Sequence, residues 1–194
     1  MEGAKGVTVR RIETERLVLR RWREEDVAAM AAVNADPEVM RWIGDGAVRD
    51  EAATRSAIEA VERAWEHEGF GLFAVEVREG GRFAGFTGLA VPHFLPEVLP
   101  AVEIGWRLGR EFWGKGYATE AARAALRFGF VDRGLNQILS ISQPQNTASE
   151  RIMAKLGMRL LHETVDPSAG RTARVHGLSR AEYEAGERRT GARG

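Results

Sequence analysis

Cysteine is absent from this 194-residue chain. Its absence excludes disulfide scaffolds, cysteine zinc sites and thiol nucleophiles, and it fits a cytoplasmic protein. Net charge is also missing, with 28 Lys+Arg against 28 Asp+Glu. General nucleic-acid binders carry a basic surplus, so no nucleic-acid partner is expected. No apolar run reaches the length of a membrane span, and Met1 to Gly6 lacks a charged start followed by an apolar stretch. Neither a membrane partner nor a secretory signal is expected. The four histidines, His67, His93, His162 and His176, have no ligand spacing, so no metal site is expected.

What is present is an ordinary globular composition, 44% hydrophobic and 29% charged. The length suits one domain with a core large enough to need no staples. The pattern predicts a short extension over 1–12, one domain over 13–183, and a frayed Arg/Gly-rich end over 184–194. Strands are expected at 16–20, 70–77, 82–91, 101–108, 137–142, 159–165 and 174–178. Helices are expected at 26–34, from Asp36 on, and at 51–67, 117–130 and 147–156. The result is an α/β (α+β) domain with a twisted, mostly antiparallel sheet of about seven strands. His93 to Pro100 reads as a mobile loop lining a pocket.

The informative stretch is Gly109-Arg110-Glu111-Phe112-Trp113-Gly114-Lys115-Gly116-Tyr117-Ala118-Thr119-Glu120, between a strand and a helix. Glycines flanking Lys115 allow a tight turn, and the free amides and dipole of a helix start favour an anion. A nucleotide P-loop would need Ser or Thr where Gly116 stands. The dinucleotide fingerprint from Gly114 and Gly116 meets Thr119 at its last glycine position. Gly116 and Ala118 do fit the end of the acetyl-CoA loop Gln/Arg-x-x-Gly-x-Gly/Ala, with Trp113 at its first position.

Here the chain resembles the GNAT superfamily of N-acetyltransferases, in the branch that includes ribosomal-protein N-terminal acetyltransferases. The string Phe112 to Ala121 carries the resemblance, together with Asn146-Thr147-Ala148-Ser149 and the helix end Lys155-Leu156-Gly157-Met158. It implies a splayed strand pair opened by a bulge near Gly105. It implies acetyl-CoA as co-substrate, cradled by Trp113, Gly114, Lys115, Gly116, Tyr117, Ala118 and Thr119. Ile104 and Trp106 would supply main-chain bonds to the pantetheine arm, and Asn146 a side-chain bond. Glu103 would be the general base. Ser149 would protonate the leaving thiolate, since the position where many relatives carry Tyr is Met153. Arg41, Trp42 and Phe94 would touch the acceptor, a small-molecule amine or a protein N-terminal α-amine. A homodimer is compatible with the family. Gly177 stands where relatives often carry Tyr.

Each assignment has a plainer alternative. Glu103 can pair with Arg107, four residues along on the same strand face. Thr147 and Glu150 can form a capping box. The whole loop can serve a non-catalytic acyl-CoA sensor, or a nucleotide phosphohydrolase that Gly116 argues against.

Overall fold

The computed structural model describes residues 11–191. One eight-stranded sheet runs through them in the order β1-β2-β3-β4-β5-β6-β8-β7. The strands are β1 (Arg11–Glu13), β2 (Leu17–Arg20), β3 (Leu72–Val77), β4 (Arg82–Ala90), β5 (Glu103–Leu108), β6 (Gln137–Ser142), β7 (Arg159–Asp166) and β8 (Arg171–Ser179). The helices are α1 (Asp26–Asn34), α2 (Pro37–Met40), α3 (Glu51–Glu68), α4 (Tyr117–Arg127), α5 (Thr147–Lys155) and α6 (Arg180–Gly191). All pairings are antiparallel except β5 with β6.

That exception shapes the molecule. β5 and β6 meet at one registered pair, Glu103↔Leu139, fixed by a 2.9 Å bond from Leu139 N–H to Val102 O. Beyond it the strands part. The expected bulge at Gly105 is not the cause: β5 pairs with β4 without a break from Gly85↔Leu108 to Ala90↔Glu103. The bulge lies instead between β3 and β4, where Ala84 is the extra residue and the register shifts at Val75/Glu76.

One face of β4 and β5 packs on α4. Ala121, Ala122 and Ala125 are fully buried there against Leu89, Ile104 and Leu108. A methyl added at Gly129, just beyond α4, would lie 2.6 Å from Ile138 Cδ1, so small residues let this segment sit close to the sheet. The opposite face presents Phe86 to Val27 and Met30 of α1 and Ile58 of α3. α1 is fastened to β2 by the buried Arg20–Asp26 pair, two parallel bonds of 2.7 and 2.8 Å.

Several expectations change at the edges. β1 was not expected; it is three residues with a single apolar side chain, the half-exposed Ile12, too short to show a pattern, and it forms a strand by pairing with β2. The end expected to fray is helical as far as Gly191, because Ser179 and Glu182 cap α6 reciprocally. Residues 1–10 and 192–194 of the two expected extensions lie outside the described residues. The 93–100 segment is anchored rather than free: Leu95 is buried beside Leu139 and Val175, and Glu97 accepts a 2.9 Å bond from Thr164 Oγ1. Among the described residues no helix is long and apolar enough to cross a membrane.

Candidate active site

A cavity of about 380 Å³ opens where β5 and β6 part. Its wall includes Glu103, Gly105 and Arg107 from one face of β5, and Ile104 and Trp106 from the other. Alternate residues of a strand face opposite sides, so one cavity reaches both sets only by passing the strand's unpaired edge. Val102 O already bonds β6, and Thr87 Oγ1 donates to Gly105 O from β4. Main-chain direction alternates, and the parallel Glu103↔Leu139 pair already takes the Ile104 N–H, so the Ile104 carbonyl and both main-chain groups of Trp106 point into the gap. They are available to a ligand laid there as an added strand.

Glu103 sits at the closed end of the gap. Its carboxyl has no hydrogen-bond or ion-pair partner among the described residues, and the alternative pairing with Arg107 is not formed. Burial pushes its pKa up to about 8. Asn146 and Ser149 reach the same cavity from the start of α5. Asn146, not Thr147, is the N-cap: its Oδ1 accepts a 3.2 Å bond from Ser149 N–H. The capping box is absent because Glu150 bonds Arg174 instead, at 2.7 Å. Capping occupies Oδ1, so Asn146 has its Nδ2 group left to donate. The Ser149 hydroxyl has no protein partner among the described residues.

The loop before α4 has the conformation its glycines imply. Gly114 and Gly116 have φ of 73° and 80°, left-handed values that a side chain strains. The amides of Tyr117, Ala118 and Thr119, at the start of an eleven-residue helix, have no helical carbonyl to reach. Trp113 N–H is taken by Arg110 O at 3.0 Å, and its ring N–H donates to Leu108 O at 2.8 Å. Trp113 therefore fixes the loop to the end of β5. Lys115 leaves its Nζ 5.9 Å from the Phe112 ring, at the surface.

A clamp behind the loop was not expected from the sequence. Glu120 of α4 accepts from Thr14 Oγ1 at 2.6 Å and from Arg16 N–H and Nε at 2.9 and 2.7 Å, while Arg16 also bonds Lys115 O at 2.9 Å. Burial alone would raise the Glu120 pKa, but these bonds outweigh it and hold the carboxyl below its ordinary value. The open amides and bare glycines fit a diphosphate, and the strand gap fits the thin arm that would follow it.

Trp42 and Phe94, which the resemblance would place against the acceptor, line the cavity. Arg41 does not: its guanidinium lies 4.8 Å over Trp42 and pairs with exposed Glu38 at 3.4 Å. Arg49, Arg107 and Arg171 line the cavity and were missed. Arg171 bonds the carbonyls of Arg41 and Asp45 at 3.2 and 2.5 Å, tying the α2–α3 loop down over the cavity. No local pattern marks Arg49 or Arg171, because loops far apart in the chain bring them together. Gly177 lies away from the cavity, its space filled by Leu161. Among the described residues no group of three or more His, Asp or Glu is placed to hold a metal.

Comparisons with known proteins agree with this geometry. Residues 16–159 match the Acetyltransferase (GNAT) domain family. The uncharacterized protein YkkB of Bacillus subtilis is 34% identical over 149 residues, covering 76% of this chain and 84% of that protein. A GNAT-family acetyltransferase structure from Bacillus anthracis superposes with a TM-score of 0.74 at 28% identity, covering 89% of this chain and 99% of the other. An acetyltransferase structure from Agrobacterium tumefaciens gives 0.75 at 26%, covering 92% and 99%. With the split strand pair, the glycine loop and these matches taken together, the chain belongs to the GNAT superfamily of acetyltransferases.

Proposed function

We propose that this chain moves an acetyl group from acetyl-CoA to a primary amine in one direct step, with Glu103 as base and Ser149 as acid. The observation that carries this is an unpartnered carboxyl raised to about 8, at the closed end of a gap that widens along β5 toward the glycine loop and the open amides of the α4 start.

Acetyl-CoA supplies an activated acyl carbon. The amine must be neutral to attack it. Near neutral pH an α-amine of pKa ~7.8 is about one-tenth neutral, whereas a lysine-like amine of ~10.4 is neutral only a few times in ~10,000. Glu103, close to the α-amine in pKa, takes its proton directly or through a water. The main-chain N–H of Trp106 donates to the developing oxyanion. The new C–N bond forms, the C–S bond breaks, and Ser149 Oγ–H gives a proton to the departing sulfur while taking one from a neighbouring water, whose proton is balanced by the one Glu103 removes from the amine and returns to solvent. No covalent enzyme intermediate is formed.

The acceptor is a small-molecule amine or a protein N-terminal α-amine, the latter supported by the string Phe112 to Ala121. The test is thiol release from acetyl-CoA with a panel of amines. Acceptor-dependent release is expected. Tight CoA binding with no release from any amine would favour the sensor reading and sink this one.

A further inference from the structure

The arginines of this protein are mostly spoken for. Arg20, Arg21 and Arg174 each bond two carboxylates. Arg107 differs. It lines the cavity on the Phe86 face of the sheet, its guanidinium 5.2 Å over the Phe86 ring. Its Nη1 donates to Asn34 Oδ1 at 2.6 Å, a neutral partner, and its buried Nε has no partner at all. No carboxylate reaches it. A second cation, Arg49, stands at the same wall and has no ion pair among the described residues. Burial first, and then the charge of Arg49, pull the Arg107 pKa down to about 10, so it stays cationic at neutral pH. Two converging cations with no counter-ion are costly in a partly dehydrated site.

The carboxylates of the wall do not relieve them. Asp166 already accepts from Ser168 N–H and Oγ at 2.8 and 2.7 Å. Glu103 is four residues from Arg107 on the same strand face, about 13 Å of strand. Between them lies Gly105, where an added methyl would meet nothing within 4 Å. The floor therefore reads base, bare space, cation. Trp42, Phe94 and Phe86 supply apolar walls beside it.

We propose that the acceptor is a small amine carrying its own anionic group, a carboxylate or phosphate several bonds from the nitrogen, which Arg107 and Arg49 hold while the amine faces Glu103. The proposal rests on the acetyl-transfer reading. The anion in question is not the diphosphate of the co-substrate, because Arg107 points to the face opposite α4. Polycationic acceptors are disfavoured by the same pair.

The test compares glycyl-phenylalanine with its C-terminal amide, and adds phosphoethanolamine and spermidine, by thiol release and by equilibrium titration into the CoA-bound protein. The dipeptide should exceed its amide at least tenfold in kcat/KM or affinity, the scale of one hydrogen bond to a charged group. Phosphoethanolamine used as well as the dipeptide would mark the anion as phosphate-compatible. Asn34→Asp gives Arg107 an internal carboxylate at an oxygen it already bonds. Arg49→Ala removes the exposed cation. Each should cut the dipeptide-to-amide ratio about tenfold and leave the acetyl-CoA KM unmoved. A ratio near one in the unmodified protein, a spermidine preference, or a ratio indifferent to both variants overturns the proposal. Release that continues with neutral amines in that case leaves acetyl transfer standing. Failure of acetyl-CoA itself to bind would instead sink the underlying reading.

Discussion

In the proposed mechanism, Glu103 is the residue on which the chemistry turns. A carboxyl raised from 4.5 to about 8 is mostly protonated at neutral pH. The folded state binds that proton between these two values and the unfolded chain does not. The stability this confers is present at acid pH and is lost as the pH rises through about 8. Activity runs the other way, since the base form appears above about 8. For an acceptor whose own pKa lies well below 8, kcat/KM should rise to a plateau with an apparent pKa near 8 in the unmodified protein. Glu103→Gln should lose that limb and lower kcat/KM by about 100-fold, within the usual range for general-base help. Acetyl-CoA affinity should change little. An unchanged pH profile in the variant would remove Glu103 from the mechanism. The sequence marked this residue because a carboxylate inside an apolar strand is costly without a role. It did not reveal whether Arg107 neutralises it, which depends on Asn34 drawing Arg107 away.

Among the elements, the loop before α4 depends on backbone shape. At Gly116, φ is 80° and an added methyl meets only the end of Arg16, at 3.4 Å. Conformation rather than space is the obstacle to substitution. Gly116→Val should cost about 1–2 kcal/mol in the loop and weaken CoA binding about tenfold or more by titration; unchanged affinity would count against a diphosphate site there. α1 has a different dependence. Asp26 is 1% exposed and bonds both nitrogens of the Arg20 fork. Asp26→Ala leaves that guanidinium buried with Glu76 as its remaining carboxylate partner, and should cost about 3–5 kcal/mol in denaturant unfolding. A loss under 1 kcal/mol would show the pair to be dispensable. α1 and β6 match the ranges expected from the sequence, because their signals, an Ala/Met/Val-rich stretch and a short Ile/Leu-rich run, are local. β1 escaped because its stability comes from its neighbour. Thr147 was misread because two adjacent cap-forming residues compete, and Asn146 is the one with non-helical φ and ψ, −78° and 67°.

For the whole molecule, the two halves of the site differed in how legible they were. The half assigned to the co-substrate is a continuous run of chain, 103–119, with a second short run at 146–149, so its candidate residues stand out as local motifs. The acceptor half is assembled from loops after α2, β4 and β7, brought together by Arg171 across about 130 positions. Its charge was therefore invisible in a chain whose formal net charge is zero. The splay of β5 from β6 has one more consequence. It perforates the sheet, so one cavity is lined from both faces of β5, and on the proposed reading the two substrates would approach from opposite faces and meet between them. Neither product would then have to wait for the other to depart, and random-order turnover is the expected kinetic pattern. A covalent hybrid of the two reactants would have to be threaded through the perforation end-first, and it should enter slowly even where it binds tightly.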